Sequence, residues 1–245
     1  MRRSIKSSIS VTLVSILVVA VGVGAHFFAS KAIEAELESA VLLASEATNE
    51  DLTKLFINDV YDALDSRLRL NADLSQQTDK LSSEDYSAIN SRISEFMFGT
   101  DFLKIKIYNL KGTTLYSSDP SQLGSDYSEN IGFKTALRGL PFSVSELRSE
   151  FKGYSGVVYN RDVVSSYVPI RRSAGNGSSN GRIIGVAEVY TDRTSEMKAV
   201  RYSGAQVSFA LAIVLLLLGV IMAATIWYLS LSISERYIDQ LEAPQ

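Results

Sequence analysis

The sequence predicts an α+β domain, a long N-terminal helix packed on a five-stranded antiparallel sheet, flanked by two transmembrane helices. Three observations predict it. No charged side chain lies between Lys6 and Lys31, or between Arg201 and Glu235, and each stretch exceeds the roughly 20 apolar residues that cross a bilayer as a helix. From Ile33 to Leu68 apolar residues recur mostly at intervals of three and four, which is the helical period. Beyond Gly99 the period becomes two, the mark of strands.

The spans come first. Arg2, Arg3 and Lys6 precede the first apolar run, and a short basic flank resists export. Residues 1–8 are therefore expected to be a cytoplasmic tail and 9–30 the first span. Residues 31–201 then lie outside the cytoplasm, 203–231 form the second span, and 232–245 form a cytoplasmic tail or the start of a linker. Ser30-Lys31-Ala32 fits a signal-peptide cleavage site, but the apolar run is longer than the roughly 7–15 residues of a signal core. It also enters a helical pattern with no turn residue, so the reading is an uncleaved anchor. His26, the only histidine, falls near the outer end of this span, where a half-polar ring suits the headgroup level beside Phe27 and Phe28.

Residues 31–98 are expected to be helical. One long helix, or two nearly collinear ones, carries Ile33, Leu37, Val41, Ala44, Leu52, Leu55, Phe56, Val60, Leu64 and Leu68 to about Leu74. Glu46, Asn49 and Glu50 interrupt this stripe, so it is no strict coiled coil. Ser82-Ser83-Glu84-Asp85 reads as the cap of a second helix ending near Phe98. Residues 99–192 contain the sheet. Leu103, Ile105 and Ile107 alternate with Lys104, Lys106 and Tyr108 in a half-buried strand, Asn109–Gly112 is a turn, and Thr113–Ser117 returns. Ile131–Gly139 is a short helix. Phe142–Leu147, Val163–Ile170 and Arg182–Tyr190 are three further strands, with Arg148 and Arg161-Asp162 in loops and Ser173–Gly181 an exposed connection. Thr191–Arg201 turns helical and feeds the second span. One sheet face packs on the long helix and the other is covered by residues 118–140, an arrangement in which small-molecule pockets form.

Composition excludes several chemistries. Cysteine is absent, so an exported domain depends on its apolar core. One histidine and no cysteine remove Ser-His-Asp and Cys-His triads and nearly all transition-metal sites. No phosphate-cradling glycine loop is present. No catalytic residue, metal or cofactor is expected, and the near-neutral block between the spans gives no reason to expect nucleic acid.

The strings KIYNLKGTTLYSSDPSQLG (Lys106–Gly124), SSYVPI (Ser165–Ile170) and GVAEVYTD (Gly185–Asp192) carry a resemblance. In this order between two spans, they resemble the single-Cache, PAS-like sensor region of bacterial membrane-bound diguanylate cyclases and sensor histidine kinases. The resemblance covers about residues 30–201. It implies a bacterial inner-membrane receptor with both termini cytoplasmic, a periplasmic or extracellular ligand-binding domain and a homodimer through the long first helix. The family carries its output domain after the second span. Here only Glu235–Gln245 follows, so the expectation is either a truncated receptor or a sensor that signals to a separate cytoplasmic partner.

Candidate ligand contacts are Tyr116, Ser118, Asp119, Ser165, Tyr167, Arg171 and Glu188. Tyr116, Ser118 and Asp119 lie where a strand meets a proline-broken loop, which is also ordinary turn chemistry. Ser165 and Tyr167 face away from the apolar side of their strand. Arg171 suits a carboxylate or simple solvation. Glu188 either meets a ligand or pairs across strands with Lys104 or Lys106. Lys31, Thr191 and Asp192 are the candidate coupling points, with Asp192 a helix cap. The function expected is a small-molecule sensor that moves one span against the other. The alternative is a membrane-anchored adapter that binds another exported protein, marked by an exposed apolar patch and a filled sheet face.

Overall fold

The computed structural model describes the backbone of residues 2–68, 81–172 and 181–242, and the side chains of 17–58, 81–172, 181–229 and 231–232. Two helices stand at the chain ends, α1 (Arg2–Leu68) and α4 (Thr194–Glu242). Leu17–Asn58 and Thr194–Leu229 within them are each long and apolar enough to cross a membrane. A helix suits such sequence because lipid offers no partner for backbone N–H and C=O groups. Glu38–Lys198 form one compact unit, and Met1–Leu37 with Ala199–Gln245 form another. The expected continuation of α1 to Leu74, most of the Ser173–Gly181 connection and Pro244 lie outside the described residues.

Within Glu38–Lys198, helix α2 (Ser83–Met97) starts where the sequence places it: the Ser82 hydroxyl accepts from the Asp85 N–H, and Ile89, Ile93 and Met97 form its buried stripe. The strands are β1 (Phe102–Tyr108), β2 (Thr114–Ser117), β3 (Phe142–Gly153), β4 (Gly156–Arg171) and β5 (Ile183–Asp192). They form one sheet of order β2-β1-β5-β4-β3, antiparallel at every pairing. A 3₁₀ turn at Pro120–Gln122 and helix α3 (Ile131–Leu137) lie between β2 and β3. At the β1–β2 turn, Gly112 has φ +89° and no room for a Cβ beside the Ser128 backbone; only glycine fits.

Two expectations are corrected. Arg148 and Arg161-Asp162 are not in loops, because β3 and β4 continue to a tight turn at Tyr154-Ser155, pairing Arg148 with Arg161 and Leu147 with Asp162. Charged residues exposed on both sides of this arm hide the period-two signal. The sheet-facing seam of α1 is also only in part the expected apolar stripe, of which Phe56 and Leu52 reach the core. Ser45, Asn49 and Thr53 are buried with Phe56 and Ile57, while Leu55 is exposed. Asn49 is central to the seam rather than an interruption: its Nδ2 donates to Ser166 Oγ on β4 at 2.9 Å and to Thr191 Oγ1 on β5 at 3.0 Å. A buried side-chain amide that must meet its partners fixes the register of the helix on the sheet. On the same face, Ile105, Ile107, Ile170, Ala187 and Val189 form a core with Phe56, Ile89, Ile93 and Met97.

Candidate functional site

The opposite face of the sheet carries the unusual chemistry. Side chains alternate along each strand, so Lys104, Lys106 and Tyr108 on β1 share this face with Val186, Glu188 and Tyr190 on β5. Register sets them in rows. Lys106 lies opposite both Ser117 and Glu188, and Glu188 lies opposite Tyr167, which lies opposite Phe142. One row thus crosses all strands with Glu188 on the central one. The neighbouring row pairs Lys104 with Tyr190 and Tyr190 with Ser165.

Lys106 and Glu188 are about as deeply buried as side chains become, at 2% and 1% exposure, with Nζ and Oε2 3.2 Å apart. A buried charge is tolerated when its partners are complete. The Lys106 ammonium has three donors and three acceptors, since Tyr127 OH at 3.2 Å and Tyr190 OH at 3.0 Å join Glu188. Its nitrogen also lies 4.6 Å and 5.1 Å from the Tyr127 and Tyr190 ring centroids, within cation–π range. Tyr108 donates its hydroxyl to Glu188. The ammonium therefore occupies a cage of tyrosine rings closed by one carboxylate.

Three pieces of chain cover the cage. Tyr127 comes from the loop after the 3₁₀ turn and packs on Tyr108 with centroids 5.1 Å apart. Helix α3, capped by Asn130 on the Phe133 N–H, sets Phe133 edge-on to Tyr108 and Gly132 so close to Tyr167 that a Cβ would lie 2.2 Å from the ring. The third piece is the β3–β4 tip. Phe151 packs on Tyr190 at 5.2 Å, Lys152 pairs with Asp119 at 3.0 Å, and the Tyr154 N–H donates to the Leu103 carbonyl at 2.7 Å. Burial there and the Lys106 charge lower the proton affinity of Lys104.

Burial, and after it the Glu188 carboxylate, push the Tyr108, Tyr167 and Tyr190 phenols well above their usual value. A raised folded-state pKa stabilises below the unfolded value and ceases to as pH rises through it. Stability is therefore expected to fall steeply above about pH 10, where unfolded tyrosine ionises. Lys104 acts in the opposite sense, but three tyrosines outweigh one lysine. Thermal melts from about pH 8 to about pH 11, spanning the ordinary tyrosine and lysine values, check this, and a flat profile would show that these phenols are not buried as described.

The structure brings together only some of the residues singled out in the sequence. Glu188 and Tyr167 are in the cage, and the cross-strand partner of Glu188 is Lys106. Ser165 is buried one row away. Asp119 reaches the rim through Lys152; burial works against its ionised form, but hydrogen bonds from Ser121 and Lys152 prevail and hold its carboxyl below the usual range. Tyr116 and Ser118 lie on the other face. The Tyr116 hydroxyl donates to Asn90, and its ring stacks on Tyr86; Ser118 Oγ accepts from the Ile105 N–H. Arg171 braces the chain by donating to the Gly181 and Gly139 carbonyls. Lys31 pairs with Glu34 on α1, Thr191 accepts from Asn49, and the Asp192 carboxylate accepts from the Thr194 N–H at the start of α4. Lys106, Tyr108, Tyr127 and Tyr190 are not among those candidates: alternation with isoleucine places Lys106 and Tyr108 on one face of β1 without showing that this face is covered, and nothing local marks Tyr127 or Tyr190. Among the described residues no cluster of histidine and carboxylate side chains is suited to a metal.

No profile of a known protein family matches the sequence, and no curated protein is significantly similar to it. Among solved structures, the chain is similar to the ligand-binding domain of the Campylobacter jejuni chemoreceptor Tlp3 in complex with 4-methylisoleucine, with 14% identity and a TM-score of 0.39 over 75% of this chain and 63% of that one. The same domain in complex with L-valine gives 15% identity and a TM-score of 0.33 over 68% and 66%. A structure of the sensory domain of Tlp3 gives 15% identity and a TM-score of 0.32 over 68% and 66%. The chain thus spans just under two thirds of these chains' length.

Proposed function

We propose that the chain is an extracytoplasmic small-molecule sensor of a membrane receptor, and that its ligand is a small zwitterion bound at the Lys106–Glu188 cage. The buried ion pair carries the reading. It satisfies itself without ligand, so a molecule bearing only one charge would leave a buried partner unpaired. A ligand with an adjacent ammonium and carboxylate would leave neither, its ammonium taking the seat of the Lys106 ammonium against Glu188 and its carboxylate pairing with Lys106. Asn49 supports coupling, because it joins α1 to β4 and β5, the strands that carry Tyr167, Glu188 and Tyr190 on their other face. Asp192 does the same at the entry to α4. Exposed Leu43 and Leu55 with Ala40, Ala44 and Ala47 on α1 support a homodimer through this helix.

The test is a thermal-shift panel on the full chain in detergent, with amino acids, organic acids, amines and sugars. Only zwitterions should raise the midpoint, by the equivalent of about 2.7 kcal/mol at one hundred times Kd, and Glu188→Gln should abolish the response. Equal shifts from plain amines or plain acids would exclude the zwitterion. Silence from a folded protein would favour the second reading, an adapter for another exported protein. The filled sheet face supports that alternative, as do Leu147 and Tyr159, 70% and 61% exposed on the β3–β4 arm.

A further inference from the structure

A second polar constellation lies away from the sheet, where the two apolar helices approach each other. A half-open cleft of about 350 Å³ between α1 and α4 is lined by His26, Phe27, Lys31 and Glu34 on one side and by Arg201, Gly204, Ala205 and Ser208 on the other. Gly204 and Ala205 leave the space, having almost no side chain to fill it. The lining is graded. Along α1 it passes from Val23 and Phe27 to Lys31 and Glu34, and along α4 from Ser208 and Ala205 back to Arg201. Lys31 and Arg201 both adjoin the intervening domain, so the charged ends of the two helices mark the same side. His26 Nδ1 is buried there and has no hydrogen-bond partner, which is costly unless something fills the cleft.

We infer that this cleft seats an anionic phospholipid, with the headgroup phosphate at Arg201 and Lys31 and the glycerol backbone beside His26. The Arg201 guanidinium fork matches a phosphate, and Lys31, whose Nζ pairs with Glu34 at 2.6 Å, lies on the same lining. The aromatic and small apolar side chains below suit the first carbons of an acyl chain. A free phosphate would leave this half empty, which favours a lipid over a soluble anion. His26 then acquires the polar partner it lacks, from an ester or glycerol oxygen. The cleft is built entirely from residues before Leu37 and after Ala199, so it is independent of the cage on the sheet.

The test is native mass spectrometry of the full chain released from nanodiscs containing equal phosphatidylglycerol and phosphatidylcholine. Wild-type protein should retain phosphatidylglycerol preferentially. Arg201→Gln should lower that retention by about tenfold, as expected for a lost charged hydrogen-bond pair, and Arg201→Lys by less. His26→Phe should lower it while leaving the thermal midpoint of the sheet domain unchanged. Equal retention of the two lipids, or an Arg201→Gln variant that retains phosphatidylglycerol like wild type, would overturn the assignment. So would displacement of the lipid by millimolar inorganic phosphate, which would mark the cleft as a site for a free anion.

Discussion

Lys106→Met will destabilise the sheet domain by about 3–5 kcal/mol, the usual cost of stranding one member of a buried ion pair. The side chain removed is similar in length, so the loss arises from charge rather than from a cavity. It leaves Glu188, 1% exposed, with neutral hydroxyl donors such as Tyr108 and no counter-charge, and it deprives Tyr127 and Tyr190 of the ammonium their hydroxyls accept from. The double variant Lys106→Met/Glu188→Leu removes both charges and should recover most of the loss, because an apolar pair of similar volume is often at least as stable as a buried salt bridge. Recovery will be incomplete, since the Tyr108 hydroxyl then has no carboxylate to donate to. Denaturant melts of the full chain and its variants measure both steps. If Lys106→Met matched wild type, the pair would be solvated and the cage would not exist. The double variant also separates stability from function: it should regain most of the wild-type stability and bind no zwitterion.

The same pair shows what the sequence made legible. The strands of the sheet core were readable because period-two alternation of isoleucine and valine survives in β1, β4 and β5, and α2 because Ser82 and Asp85 cap it in the expected way. Cross-strand pairing of Glu188 with a lysine was readable from its oddity among small apolar neighbours. Burial of Lys104 and Lys106 was not, because alternation of charge with isoleucine ordinarily marks a face turned to water, and whether a second layer covers that face is decided by residues far along the chain. Tyr127, α3 and the β3–β4 tip supply that layer. Tyr116 misled for a related reason: a tyrosine and a serine at a strand end look alike from either face, and only register with β1 shows that Tyr116 turns toward α2. The α1 seam was misjudged because Ser45, Asn49 and Thr53, spaced by one turn, resemble the solvated side of a helix unless Ser166 and Thr191 are known to lie opposite.

Phe133→Ala is the largest expected effect in the cover of the cage. Phe133 is 2% exposed and meets the Tyr108 ring edge-on, with centroids 5.8 Å apart. Truncating a buried phenylalanine costs about 3–5 kcal/mol, which for a domain of this size lowers the thermal midpoint by about 10 °C. The seven residues of α3 are far too few to hold a helix without tertiary contacts. The loss should therefore be local before it is global: α3 amides exchange faster with solvent while β4 and β5 amides stay protected. Gly132→Ala should give the same exchange pattern by the opposite steric route, because its methyl would enter the space of the Tyr167 ring and force the helix outward. Agreement between a cavity and an overpacked contact would identify α3 as the element that opens over Lys106 and Glu188. If Phe133→Ala instead raised exchange uniformly across the sheet, α3 would be a fixed part of the core, and access to the cage would have to come from the β3–β4 tip, where the Lys152–Asp119 pair and the Tyr154–Leu103 hydrogen bond are the contacts to break.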